Sequence, residues 1–193
     1  MLKELVRKNR SYRRFHQEVA VEMETLKELV GLARLSASGS NRQPLKYILC
    51  CDPEVNAAIF PHLAWAGFLT DWGGPAEGER PAAYIIILND TTIAKVPGVD
   101  HGIAAQSMML GAAERGLGGC MIGSIDKDGL RKALDIADQY EIVLVLALGK
   151  PAEEVVIEDV GPDGDIKYYR DDDDVHHVPK RTLEELIGGA HGG

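Results

Sequence analysis

Cysteine is scarce in this chain: three among 193 residues, with Cys50 and Cys51 adjacent in an apolar run and Cys120 alone. Without CxxC spacing there is neither a disulfide framework nor a zinc-thiolate site, and a reducing cytoplasm is the expected compartment. Positive charge is also in deficit, at 21 Lys and Arg against 30 Asp and Glu, for a net charge of −9 and an isoelectric point near 5.1. That balance argues against general binding to nucleic acid or to an anionic membrane. No apolar run approaches the roughly 18 residues of a membrane span, and the N-terminus shows no signal-type stretch, so a soluble protein without a membrane partner is expected. Aromatic residues make up only 6% of the chain, and both tryptophans fall within residues 60–80. No internal repeat is visible. The length predicts one domain over residues 1–193, able to bury roughly 70% of the surface that it exposes when unfolded.

Apolar periodicity supplies the elements. Leu2, Leu5 and Val6 share one face of a helix over residues 1–9, and Leu26, Leu29, Val30, Ala33 and Leu35 do so over 23–36. Small polar residues closed by Pro44 make 36–44 a loop, followed by a strand over 45–51. The continuous apolar runs within 81–88 and 142–148 read as central strands buried on two faces. Between them a helix over 99–114 ends at Gly116, a C′ glycine.

Three stations carry polar chemistry. Arg10-Ser11-Tyr12-Arg13-Arg14-Phe15 places three guanidinium groups around a serine in an otherwise acidic chain. Arginine's rigid fork matches phosphate, so the cluster is either an anion site or a solvated basic loop. Gly116-Leu117-Gly118-Gly119-Cys120-Met121-Ile122-Gly123-Ser124 follows a helix and leads into a strand, the reverse of a dinucleotide fingerprint, and has no P-loop lysine. Its glycines either let a flat ligand approach the backbone or simply stop the helix and turn the chain. Near the C-terminus, Lys180 and Arg181 precede a capping box of Thr182 and Glu185, a helix start suited to phosphate. The four aspartates at 171–174 beside His176 and His177 read as a solvated loop, since adjacent residues do not converge on one ion, and no metal is assigned. Cys120, among glycine and apolar neighbours, reads as inert packing.

Taken in order, the Arg-Ser-x-Arg start, the Ser38-x-x-Asn41-x-Gln43-Pro44 loop, the Gly-Gly-Cys-x-Ile-Gly turn and the Pro-Lys-Arg-x-Leu-Glu-Glu end resemble the nitroreductase family over nearly the whole chain. The resemblance implies an α+β fold, a three-layer sandwich whose central mixed, mainly antiparallel sheet is flanked by helices. It also implies an interlocked homodimer with two FMN sites built from both subunits. By that resemblance Arg10, Ser11 and Arg13 lie at the FMN phosphate and the polar edge of its ring, with Arg14 outside. Ser38, Asn41 and Gln43 belong to the loop that reaches the cofactor, in part across the subunit boundary. Ile122 and Gly123 lie beside the ring, and Lys180 and Arg181 form a terminal phosphate clamp. Ala37 and Leu45 depart from the family pattern, which more often has proline and an aromatic residue there.

The implied activity is an FMN-dependent oxidoreductase that takes electrons from NAD(P)H and reduces electron-poor acceptors such as nitroaromatics or quinones by a ping-pong mechanism. No catalytic dyad of the protein is required, because the flavin carries the hydride chemistry while the protein supplies position and electrostatics. Arg13 is the candidate for stabilising negative charge on the ring. The resemblance leaves other readings open: reductive dehalogenation, flavin breakdown, or FMN storage without turnover. Residues 60–80, rich in glycine and proline beyond Trp72, read as a lid insertion. Within it Trp65, Phe68 and Trp72 contact substrate or else form a hydrophobic cluster or subunit contact.

Overall fold

The computed structural model describes residues 2–192; Met1, included in the first helical reading, lies outside the described residues. The chain runs α1 (Leu2–Lys8), β1 (Phe15–His16), α2 (Met23–Leu35), β2 (Leu45–Cys50), α3 (Pro53–Ile59), β3 (Ala83–Asp90), α4 (Asp100–Glu114) and β4 (Gly118–Ile122). It continues through α5 (Lys127–Ala133), β5 (Tyr140–Pro151), β6 (Val155–Asp159), β7 (Tyr169–Arg170), β8 (His176–Lys180) and α6 (Leu183–Leu186).

The apolar run of β3 explains the layering. All eight of its residues are buried, and because strand side chains alternate, Ile85 and Ile87 enter one layer while Tyr84, Ile86 and Leu88 enter the other. The first layer is completed by Leu26, Leu29 and Ala33 of α2 and Ala105, Met108 and Ala112 of α4, which pack on Leu146 and Leu148 of β5. The second takes Ile59 of α3 and Leu130 of α5 against Val145 and Ala147. The result is a sheet covered by helices on both faces, an α+β sandwich. In the five-stranded sheet β5 pairs with β1, β3 and β4, and β3 pairs with β2, every pairing antiparallel. The parallel component lies in a second, three-stranded sheet, where β8 pairs parallel with β6 and antiparallel with β7.

Strand and helix ends follow local chemistry. β5 extends beyond the predicted 142–148 at both ends, because Tyr140 and Glu141 pair with Asp90 and Asn89 and its far end pairs with β1. α4 stops where Gly116 takes φ 71°, with Leu117 N–H donating to Ala112 O at 2.9 Å and Gly116 N–H to Ala113 O at 3.2 Å, a Schellman closure. The helices α3 and α5, each too short to give a periodic signal, are nucleated by capping aspartates. Asp52 accepts from Glu54 N–H at 2.9 Å and Asp126 from Gly129 N–H at 3.1 Å. α6 opens on the expected capping box of Thr182 and Glu185.

The second sheet contains a doubly paired histidine. In β8 the ring nitrogens of His177 lie 3.0 Å from Glu158 of β6 and 3.0 Å from Asp171, and its ring stacks on Tyr169 of β7 at 4.8 Å. Carboxylates only accept, so both nitrogens carry protons and the group is an imidazolium. Its hydrogen bonds to Asp171 and then Glu158 raise its pKa above the ordinary histidine value. A pKa raised by folding adds stability in full below the unfolded value of about 6.5, and that stability is lost as pH rises through the folded value. The melting temperature of the wild type should therefore fall relative to His177→Gln as the pH is raised above neutrality. Parallel curves for the two proteins from mildly acid to mildly alkaline pH would contradict this.

Candidate functional site

The loop after α1 is tied to the sheet through its backbone. Ser11 bridges Gly119 in parallel fashion, and Tyr12 N–H donates to Gly119 O at 3.0 Å. A side chain at Gly119 would collide with the Ala147 carbonyl, and one at Gly118 with the Tyr12 ring. These two glycines therefore allow close packing, Gly119 on the backbone of β5 and Gly118 on the Tyr12 ring. Gly123 has open space around it.

The anchored loop forms one wall of a cavity of about 360 Å³, whose lining includes Arg10, Ser11, Arg13, Tyr168, His176 and Lys180. Thus the N-terminal cluster and Lys180 converge, although about 170 residues separate them in the chain. Alternation along β8 is responsible for the far wall: His176, Val178 and Lys180 share the face that lines the cavity.

Arg13 lines this cavity and is 8% exposed. Its Nη1 donates to Ser11 O at 3.2 Å and lies 3.2 Å from His176 Nε2, while its guanidinium covers the Tyr168 ring at 4.7 Å. All of these partners are neutral. The neighbouring Arg14 turns away, to Asp174 at 2.7 Å and Glu79 at 3.5 Å. Glu153, just beyond β5, has a side chain only 2% exposed and holds the loop from beneath. It accepts from the backbone N–H of Arg13 and, at 3.1 Å, from that of Arg14, and Arg170 Nη2 donates to its other oxygen at 2.9 Å. The carboxylate is satisfied without touching the Arg13 side chain, whose charge is left to face the cavity.

Among the described residues, no carboxylate comes within ion-pair range of the Arg10, Arg13 or Lys180 side chains. Three buried nitrogens here also have no acceptor: Arg10 Nε, Arg13 Nε and His176 Nδ1. Burial lowers the Arg10 pKa from its ordinary value, yet arginine stays charged at neutral pH. A cavity ringed by cations and unmatched donors fits an anionic ligand rich in acceptors.

A smaller cavity of about 140 Å³ adjoins it through Arg13 and Met121 and is lined by Trp65, Gly67, Cys120, Ile122 and Gly123. Cys120 is buried, and desolvation above all pushes its thiol pKa up, which keeps it protonated and unreactive. Residues 60–80 contain a short 3-10 turn at Phe60–His62 and are otherwise irregular. Trp65 reaches the smaller cavity, with its ring 5.9 Å from that of Phe60. Phe68 and Trp72 line neither cavity; they brace the wall from outside. Phe68 packs on Tyr168 at 5.0 Å and Trp72 lies under the Arg170 guanidinium at 4.4 Å.

The remaining predicted residues lie elsewhere in the chain. Ser38 Oγ donates to Asp100 Oδ2 at 2.6 Å and accepts from Gln43 N–H at 2.9 Å. Gly39 N–H donates to Asp100 Oδ1 at 2.8 Å. Through these contacts Asp100 of α4 stabilises a loop in which Ser40, Asn41 and Gln43 all have φ near 52°. Ser38 and Gln43 line a third cavity with Asp100 and Tyr47, and Asn41 is exposed. Arg181 is exposed and pairs with Glu185 at 3.6 Å, outside the cavity that Lys180 lines.

Three residues at the site, Glu153, Tyr168 and Arg170, were not singled out from sequence, and His176, read with the aspartates as part of a solvated loop, is instead 1% exposed in β8. His176 had a legible signal, since a strand read over 176–180 puts it on the face of Lys180. Asp171 and Asp174, from the run of four aspartates, are bound to His177 and Arg14.

Comparison with known proteins gives a consistent picture. The pattern described as Nitroreductase family matches residues 6–150. A nitroreductase family protein from Streptococcus pneumoniae TIGR4 superposes with a TM-score of 0.69 at 18% identity, over 84% of this chain and 96% of that one. An FMN-dependent nitroreductase from Clostridium difficile R20291 does so with a TM-score of 0.63 at 25% identity, over 78% and 87%. The NfrA1 nitroreductase from B. subtilis gives a TM-score of 0.63 at 23% identity, over 79% and 67%.

Proposed function

The chain belongs to the nitroreductase family, and from that premise we propose that it is an FMN-dependent oxidoreductase using NAD(P)H to reduce electron-poor acceptors such as nitroaromatics or quinones. The observation that carries this reading is the buried Arg13 guanidinium, without a carboxylate partner, in the wall of a cavity that Arg10, Ser11 and Lys180 also line. When bound, FMN supplies the electron and hydride transfer chemistry. Arg10 and Lys180 hold its phosphate with the Ser11 hydroxyl, and Arg13 lies against the polar edge of its ring, where a fixed cation favours negative charge.

Ile122 and Gly123 flank the ring on the side of the smaller cavity, where Trp65 meets the acceptor. Phe68 and Trp72 act one step back, through Tyr168 and Arg170. Ser38, Asn41 and Gln43, remote from the cavity in their own protomer, together with Arg181, complete the site of a second copy in a homodimer. This assignment accounts for a polar loop held rigidly by Asp100 yet facing away from the cations of its own chain.

The cavities adjoin at Arg13, and the chain carries no dinucleotide fingerprint, so donor and acceptor use one place in turn. Parallel lines in double-reciprocal plots are expected, with excess acceptor competing against the nicotinamide. The test is the absorbance spectrum of the purified protein, followed by anaerobic titration with NADH and NADPH and light scattering across a dilution series. A protein that neither carries nor takes up FMN defeats the reading. Intersecting lines defeat the shared site alone, and a stable, fully flavinated monomer defeats the assignment of the 36–44 loop.

A further inference from the structure

Arginine has donors and no acceptor. Where Arg13 Nη1 lies 3.2 Å from His176 Nε2, the guanidinium must donate and Nε2 must present its lone pair. Burial, and next the charge of Arg13, depress the His176 pKa to about 4, so at neutral pH the ring carries one proton, on Nδ1. That Nδ1 has no partner, in a side chain that lines the cavity and belongs to a residue 1% exposed. The Tyr168 ring packs on the imidazole at 5.3 Å, tilted by 45°, and also lies under Arg13. A buried N–H without an acceptor is costly, and the cavity is where an acceptor can be supplied.

We propose that His176 is a further ligand-binding residue of this cavity, a neutral imidazole locked by Arg13 in its Nδ1-protonated form that donates Nδ1–H to a carbonyl oxygen or ring nitrogen of the bound group. The inference rests on the flavin reading above and assigns His176 to the ring end of the ligand rather than to its phosphate. The spacing along β8 supports that end. Lys180 stands four residues further on the same face, about 13 Å at the usual rise of a strand, so one residue at the phosphate leaves the other near the ring. The donor gives the site a means of selecting heteroaromatic rings that present an acceptor at that edge.

Two substitutions separate the two nitrogens. The amide N–H of an asparagine falls near the position of Nδ1, whereas the amide of a glutamine falls near Nε2. His176→Asn should keep affinity for both FMN and riboflavin within about threefold, and H176Q should lose about threefold to tenfold for both alike, the range of one neutral hydrogen bond. In the wild type, 15N NMR of the ring should show a protonated Nδ1 and a bare Nε2 before ligand is added, and a shift of the Nδ1–H resonance with either flavin.

A reversed order of the variants means that His176 acts only by positioning Arg13. A loss for FMN but not for riboflavin moves it to the phosphate, and a proton found on Nε2 removes the donor; each overturns the proposal. The NMR measurement needs no variant, so poor folding of either one does not decide the matter. A wild type that binds neither flavin removes the functional reading and this inference together. A wild type that binds both, with Nδ1 unshifted and H176Q unimpaired, removes the inference alone.

Discussion

Arg13→Ala is expected to weaken FMN binding by about tenfold to a hundredfold, while Arg14→Ala leaves it within about threefold. The two residues are adjacent in sequence and opposite in circumstance. Arg14 spends its charge on Asp174 and Glu79 at the surface, where such pairs contribute little. The guanidinium of Arg13 is buried against Ser11 O, His176 and Tyr168, none of which bears a compensating charge. A ligand anion or polar ring edge then makes a charge-assisted hydrogen bond in a poorly hydrated setting, contributing roughly 1.5–3 kcal/mol, and about 1.4 kcal/mol corresponds to one factor of ten. Titration of the apoproteins, followed by quenching of flavin fluorescence, measures the contrast. Equal losses for the two variants would mean that the loop binds flavin through its overall charge rather than through Arg13.

Glu153→Ala should lower the melting temperature by about 6–20 °C. The carboxylate accepts from two backbone N–H groups and from Arg170, and its removal strands all three in a region that water does not reach. Breaking a buried pair by deleting one partner costs roughly 3–5 kcal/mol. For a chain of this size about 1 kcal/mol moves the transition by 2–4 °C. Glu153→Gln keeps a carbonyl oxygen for the backbone donors but turns an NH2 donor on Arg170, which has no acceptor, so its loss should be smaller than that of alanine through the backbone bonds alone. Scanning calorimetry of the three proteins is the measurement. A fall of less than about 3 °C in the alanine variant would mean that Arg170 and the loop find other acceptors.

The parts of this molecule that were legible in its sequence are those that local physics dictates. The run through Tyr84-Ile85-Ile86-Ile87-Leu88 has no polar face to turn to water, so burial on both sides followed directly, and the helix stop at Gly116 and the cap at Thr182 were equally plain. Arg10, Arg13 and Lys180 stood out because cations concentrated in an acidic chain are conspicuous, and they line one cavity. Glu153 and Tyr168 escaped because nothing local marks them: their role comes from long-range contacts with the N-terminal loop, Glu153 through the backbone N–H groups of Arg13 and Arg14 and Tyr168 under the Arg13 guanidinium. Arg181 shows the limit from the other side. Chemically it resembles Lys180, yet consecutive residues at a strand end point to opposite faces, and Arg181 lies outside the cavity that Lys180 lines. The aspartate run hid the short strands around it, since charge density is a stronger sequence signal than the alternation of a five-residue strand.

The cavity draws its two walls from opposite ends of the chain, and this orders events during synthesis. Arg10 and Arg13 leave the ribosome first, whereas His176 and Lys180 follow some 160 residues later, at ordinary translation rates on the order of ten to thirty seconds. Throughout that interval the nascent chain exposes guanidinium groups with nothing opposite them, while their backbone is fixed in stages, at Gly119 and then at Glu153, both emerging earlier than β8. Ligand capture is therefore a late step, completed only when the last strand pairs with β6.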